Sequence, residues 1–405
     1  MSVTRREFVN GLAGVAALKG LTTPDDQTPL KGLTTTPAQS RVHSSFDPWV
    51  EVHAAHLRAN ALAVHTLAKQ PILAVIKNNG YGAGVVNVAR VLEPVESIAG
   101  FAVVKLNEAH ALRDAGIKKP VLLMGPAADT EMLDALRRNV MPMVYTPGLV
   151  RALSRATGPV DVHVCVDTGL GRVGVPHERA LALIRELAAV KGVRIRGMMM
   201  TFTEDQAFDL EQLQRFDALT VNLKKDGLDV GVRHAASSYT LFQHPDAMLD
   251  MVRPGMALYG IYPEPAFRKA GRLDLTPALA LKTRVAYVKR LQAGETAGYN
   301  RAYVAAAPVW IATLPVGHAD GLPRNAAKGG RVRINGKLHP IVASVSASHT
   351  IVEIGPERRV EIGDEVTLFD WTEGSRPEDL AAACAASVYD LTMHLNPLLP
   401  RRIIS

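Results

Sequence analysis

The sequence predicts an α/β fold: a (β/α)8 TIM-type barrel followed by a C-terminal antiparallel β domain. Three observations carry that expectation. Short apolar, β-branched runs recur across residues 46–276 with helical periodicity between most of them. Beyond Pro277 the helical segments give way to short strands divided by Gly, Pro and Asn turns. A chain of 405 residues is also long enough for two domains.

In chain order the first set of strand-like runs is 72–76, 100–104, 121–125, 143–146, 160–166, 193–199, 230–234 and 251–259. Helical periodicity is clearest over 178–190 and 208–225. Eight strand–helix units match the size and rhythm of a barrel. A doubly wound open sheet would more often carry a Gly-rich phosphate turn after its first strand, where this chain has Lys77. The second set is 281–290, 309–314, 331–334, 341–346, 350–354 and 365–369, with a helix expected over 377–386. Residues 46–276 are therefore assigned to the barrel and 277–405 to the β domain.

Residues 1–45 are set apart from the fold. Thr4-Arg5-Arg6-Glu7-Phe8-Val9, followed by a weakly apolar stretch over 11–18, resembles a twin-arginine signal that exports folded, cofactor-loaded proteins. That reading predicts a periplasmic or exported protein. Lys19 interrupts the apolar stretch, however, and no clean small-x-small cleavage site follows. A disordered arm on a cytoplasmic protein is the alternative, and the Thr/Pro/Gly-rich segment 21–45 suits it equally.

Composition narrows the function classes. The chain is 47% hydrophobic and 21% charged, an ordinary globular balance. Its net charge of +7 comes from Lys and Arg dispersed among acids, with no basic run and no aromatic-basic stripe, so nucleic-acid binding is not expected. No stretch approaches the roughly 20 apolar residues needed to span a bilayer. Cys165 and Cys384 are too few for a disulfide framework and lack metal-ligand spacing, so no metal site is expected.

The sharpest motif is Ala74-Val75-Ile76-Lys77-Asn78-Asn79-Gly80-Tyr81-Gly82. A buried strand delivers one lysine at its C-terminal end, where barrel active sites form. A lysine in apolar surroundings loses part of its preference for the charged form and becomes an amine nucleophile suited to a Schiff base.

Around that lysine the chain closely resembles the alanine racemase family, fold-type III enzymes that use pyridoxal 5'-phosphate, and the resemblance runs from Pro48 to Arg401. Asp167-Thr168-Gly169-Leu170-Gly171-Arg172-Val173-Gly174 is similar to a family segment after the fifth barrel strand. His234-Ala235-Ala236-Ser237-Ser238 is similar to its phosphate-binding stretch, and Met251-Val252-Arg253-Pro254-Gly255-Met256 follows its eighth strand. Gly298-Tyr299-Asn300-Arg301 and Gly317-His318-Ala319-Asp320-Gly321 are equally recognisable in the second domain.

The resemblance implies the following roles. Lys77 carries the cofactor and is one catalytic base. Tyr299 is the opposing base, reaching the site from a partner subunit, so a homodimer with shared active sites is expected. Ser238 and the backbone N–H groups of Gly255 and Met256 hold the phosphate with Tyr81 and Tyr389; a packed aromatic is the alternative for Tyr389. Arg253 faces the pyridine nitrogen, where a permanent cation opposes protonation of the ring and restrains its electron-sink character. Arg172 contacts both cofactor and substrate, and Ala347 lies at the substrate.

Several family residues are absent. Thr201 stands where a histidine stacks on the cofactor and contacts the second base. Cys165 replaces a lysine that steadies Arg172 when carbamylated, and Ser346-Ala347-Ser348 replaces a Cys-Met-Asp segment. His318 replaces a tyrosine, and Ala83 a histidine. A phenol at the reference value of about 10 is a poor base at neutral pH, so losing the histidine contact bears directly on Tyr299. The expected function is interconversion of L- and D-alanine by a two-base mechanism. A broad-specificity amino-acid racemase is the first alternative, since Ala347 and Ser348 leave a roomier, less acidic pocket. A non-catalytic pyridoxal-phosphate-binding protein is the second. A barrel decarboxylase is disfavoured by Arg253, because those enzymes place a carboxylate at the pyridine nitrogen, and a metal-dependent aldolase is disfavoured because His394 and Asp390 lack a nearby ligand partner.

Overall fold

The computed structural model describes residues 45–405, and the twin-arginine segment lies outside them. The first strand, β1 (Trp49–His53), falls within the range expected to form the barrel, yet it belongs to the other sheet. It pairs antiparallel with β10 (Leu279–Arg284) and parallel with the last strand, which returns beside it. Both partners are remote in sequence, so no local pattern could reveal the pairing.

The barrel sheet runs β2 (Ile72–Val75), β3 (Ile98–Val103), β4 (Val121–Leu123), β5 (Val140–Val144), β6 (Val160–Asp167), β8 (Val193–Met199) and β9 (Val232–His234), all parallel. A short β7 (Val175–Pro176) pairs with β6. All four residues of β2 are buried, as a parallel strand covered on both faces requires. Helices cross between the strands. In the longest, Gln206–Lys225, the Asp205 side chain accepts from the Phe208 N–H as an N-cap. Gln212, Phe216, Leu219 and Leu223 form its buried stripe at helical spacing.

The eighth strand expected over 251–259 is not a strand. Val252 makes a single parallel bridge to Ile72, its carbonyl accepts from Leu73 at 2.9 Å, and the Pro254 carbonyl accepts from Val75 at 3.0 Å. On the other side the Arg253 N–H donates to Ala236 at 2.8 Å, so this segment closes the ring. Pro254 has no N–H with which to extend a ladder. Met256–Tyr259 turns instead into a 3-10 helix.

The second sheet holds nine strands. They are β1 and β10 with β11 (Tyr287–Leu291), β14 (Val309–Leu314), β15 (Arg331–Ile334), β16 (Lys337–Val342), β17 (Thr350–Gly355), β18 (Glu365–Phe369) and β19 (Arg401–Ile404). The run 281–290 divides into β10 and β11, and the run 341–346 shifts back to Lys337–Val342. β12 (Thr296–Ala297) and β13 (Tyr303–Val304) form a separate ribbon that carries Tyr299 in its connection. The helix expected over 377–386 spans Pro377–Ala383. One hydrophobic core runs from the barrel, through Leu73 and Tyr259, to Leu281 and Phe369 of the β domain. No helix among the described residues is long and apolar enough to cross a membrane.

Candidate active site

Lys77 stands directly beyond the C-terminal end of β2, and the backbone after it takes an unusual course. Asn78, Asn79, Gly80 and Tyr81 all have positive φ, between 54° and 61°. Asn and Gly tolerate this left-handed region, whereas Tyr81 meets a steric penalty there. The turn is held from below. The buried Glu108 carboxylate accepts from the Asn79 N–H at 2.7 Å and from the Lys105 N–H at 3.2 Å. The Gly80 N–H donates to the Ile76 carbonyl at 3.0 Å.

The turn sends the Tyr81 ring inward, where it packs 4.8 Å from the Tyr259 ring. The Tyr81 hydroxyl lies 3.2 Å from the Tyr389 hydroxyl. Helix Val388–Met393 can bring Tyr389 so near because a β-carbon at Gly82 would meet the Thr392 carbonyl at 2.1 Å. Gly255 is required for a similar reason, since a β-carbon there would lie 2.0 Å from the Tyr81 hydroxyl. The Ser238 hydroxyl accepts from the Gly255 N–H at 2.9 Å and the Ala257 N–H at 3.1 Å. Its oxygen is thus engaged twice as acceptor while its proton remains free to donate. The hydroxyls of Tyr81, Ser238 and Tyr389 gather around Gly255, and the nearby Tyr259 hydroxyl is buried with no hydrogen-bond partner.

The electrostatics are those of an amine poised among cations. Burial holds Lys77 below the usual lysine range; the charge of Arg172 adds to this and that of Glu108 opposes it. Arg253 is 6% exposed and lies behind the site. Its Nη2 donates to the Met200 carbonyl at 2.8 Å, and its Nη1 donates to the His234 carbonyl at 2.5 Å. Burial brings its pKa down to about 10.

Comparison with known proteins names this arrangement. The model of the alanine racemase N-terminal domain matches residues 52–263, and that of the alanine racemase C-terminal domain matches 278–403. The chain belongs to the alanine racemase family. Among its relatives, the alanine racemase of Desulforamulus reducens is 34% identical over 87% of this chain and 98% of that protein. The alanine racemase of Syntrophobacter fumaroxidans is 36% identical over 85% and 94%. Among solved structures, the alanine racemase of Clostridium difficile has a TM-score of 0.83 at 27% identity, covering 89% of this chain and 96% of that one. The alanine racemase of a D-cycloserine-producing Streptomyces lavendulae has a TM-score of 0.82 at 28% identity, covering 89% and 98%. Alanine racemases are isomerases that depend on pyridoxal 5'-phosphate, and membership makes this chain an enzyme of that class.

The residues present fit the cofactor. A set of hydroxyls from Tyr81, Ser238 and Tyr389, with the orphaned Tyr259 phenol buried nearby, suits a phosphate, and Lys77 supplies the amine. Arg253 has no carboxylate at ion-pair distance among the described residues, so its charge is free to face a ring nitrogen.

The remaining expected residues are placed as follows. Arg172 is exposed but near enough to Lys77, Arg253 and Glu204 to affect the titration of each. Thr201 follows β8 and offers its carbonyl to Gln212 at 3.2 Å. Cys165 is buried, its thiol pushed up to about 11, which makes it inert. Ala347 and Ser348 are exposed, and the backbone of Ala347 accepts from the Ala319 N–H at 3.0 Å beside His318. Tyr299 is 74% exposed, and among the described residues its side chain has no hydrogen-bond partner. Sequence reasoning missed Glu108, Tyr259 and His163. Only His163 left a signal, an imidazole inside the valine-rich strand Val160–Asp167.

Proposed function

We propose that this chain interconverts L- and D-alanine by a two-base mechanism, with Lys77 on one face of the substrate and Tyr299 of a partner subunit on the other. The observation that carries the reading is the half-buried Lys77 amine, lowered in pKa, at the start of the turn that delivers Tyr81 to Tyr389 and to the Ser238–Gly255 contact. Ser238, Tyr81 and Tyr389 would hold the cofactor phosphate, with Met256 at the adjoining helix start. When bound, pyridoxal phosphate withdraws electron density from the substrate α-carbon and acidifies its proton. Lys77 Nζ takes or returns that proton on one side, and the Tyr299 hydroxyl does so on the other. Arg172 and the Ala347 turn would orient the substrate carboxylate. Arg253, as a fixed cation, would keep the ring nitrogen unprotonated and so restrain competing chemistry.

The exposure of Tyr299 supports a homodimer. A side chain that projects into solvent from the β12–β13 ribbon serves catalysis by entering another copy's barrel. Mixing Lys77→Ala with Tyr299→Phe chains tests both ideas. Each variant alone is expected to be inactive. If the site is shared, half of the randomly mixed dimers are mixed, and each of those carries one intact site. Activity then returns to about a quarter of the wild-type value. No recovery would place both bases in one chain.

A second reading concerns substrate range. Thr201 and the exposed Ala347–Ser348 turn replace bulkier family residues, which favours acceptance of larger amino acids. Turnover of a panel of L-amino acids checks it, and turnover confined to alanine would reject it. We further propose that D-alanine formation serves biosynthesis and that the twin-arginine segment exports the enzyme. A reporter fused after residue 45 and assayed for periplasmic activity tests the latter.

A further inference from the structure

Behind the site, Arg253 leans on a pair of histidines rather than on an acid. Its Nη1 meets His234 Nδ1 at 3.1 Å, and His234 Nε2 lies 2.7 Å from His163 Nδ1. Both imidazoles are buried, with rings standing nearly edge to face at 71°.

Hydrogen counting settles the protons. A guanidinium has donors only, so the His234 nitrogen facing it must offer a lone pair. The His234 proton then sits on Nε2, where it needs an acceptor within the core. His163 Nδ1 is that acceptor, which leaves the His163 proton on Nε2. One tautomer at each ring satisfies both contacts, and both rings are neutral. Burial and the charge of Arg253 disfavour the cationic form of each, bringing His163 to about 4. The ring is admitted at this depth by a glycine on the neighbouring strand, since a β-carbon at Gly197 would lie 2.5 Å from His163 Nδ1.

We propose that His163 is a positioning residue for the racemase. By accepting from His234 Nε2–H it locks the tautomer that turns a lone pair toward Arg253, and this fixes the guanidinium in the orientation in which it would meet the cofactor ring. The proposal rests on the reading that Arg253 faces the pyridine nitrogen. In His163→Leu the His234 N–H is orphaned, and the opposite tautomer, which sets an N–H against the guanidinium, becomes competitive. In His163→Asn an amide oxygen near the former Nδ1 restores the acceptor.

The test uses the cofactor-loaded protein labelled with 15N-histidine. In wild type, His234 Nδ1 is expected to resonate as a bare nitrogen and Nε2 as a protonated one. His163→Asn should keep that pattern, and His163→Leu should mix or reverse it. The bound cofactor's absorption, and its pH profile, should move in His163→Leu in the same direction as in Arg253→Gln. Turnover number should fall about tenfold in His163→Leu with KM little changed, and recover in His163→Asn. A protonated Nδ1 on His234 in wild type would overturn the proposal even if His163→Leu does not fold. An altered spectrum in Arg253→Gln with an unaltered one in His163→Leu would overturn the relay alone. An unaltered spectrum in Arg253→Gln would overturn the proposal through its premise, the placement of Arg253 against the ring.

Discussion

At Gly255 a single hydrogen in place of a methyl decides whether the Tyr81 hydroxyl can occupy its place. Its φ of −114° is open to any residue, so the demand is steric, not conformational. Gly255→Ala would put a β-carbon 2.0 Å from that hydroxyl, and either the ring or the 3-10 helix must shift. We expect cofactor affinity to drop at least about tenfold, measured by titrating cofactor into the apo-protein. Tyr81→Phe in the same chain should recover only part of the loss, because the ring carbon bearing the hydroxyl would still lie at 2.8 Å. The lysine itself is legible in the sequence, since it ends a buried strand. The glycine's necessity is not, because Tyr81 and Gly255 are far apart in the chain and meet only where the segment 251–259 closes the ring against β2.

The loop that leaves β8 shows what an element demands of a buried charge. Asp209, 1% exposed, accepts from the Thr203 N–H at 3.0 Å, the Thr203 hydroxyl at 2.9 Å and the Glu204 N–H at 3.1 Å. Its second oxygen lies 3.1 Å from His244 Nε2. These contacts hold Glu204 at a φ of 71°, which a residue with a β-carbon resists. Asp209→Ala should cost roughly 3 kcal/mol in urea unfolding, because it removes the acceptor of the part-buried Thr203 hydroxyl and Glu204 N–H and of the buried His244 imidazole together. Since this loop also carries Thr201, turnover should fall alongside stability. The helix Gln206–Lys225 is legible from its apolar period, but the second duty of Asp209 is not. A carboxylate in the first turn of a helix ordinarily serves the helix dipole, and only the folded loop reveals its other partners.

Across the whole molecule, the buried histidines couple folding to acidity. His163 lies at about 4 against an ordinary 6.5, so between these values the unfolded chain binds a proton that the folded one refuses. The stability is therefore intact above pH 6.5 and declines as the pH falls toward 4, by on the order of 3 kcal/mol from this group alone. His163→Asn should flatten that stretch of the stability curve, read from urea midpoints at successive pH values. A slope equal to that of wild type would show that His163 is not the group responsible. Expected oligomerisation belongs to this scale as well. If Tyr299 serves a partner's barrel, specific activity should decline on dilution through the dimer dissociation constant, and size-exclusion chromatography at the same concentrations should show the change in parallel.

The two-part plan, the strand ending in Lys77 and the family motifs are readable from the chain because each is local. Buried parallel strands are short apolar runs, and a strand-end lysine needs no remote partner to be noticed. Tertiary structure decided what depends on distant partners. It drew β1 into the second sheet, ended the 251–259 run at Pro254 and Gly255, and stood Arg253 on two histidines from β6 and β9. Periodicity records which faces of an element are apolar, but hydrogen bonds between groups far apart in the chain leave no period to read.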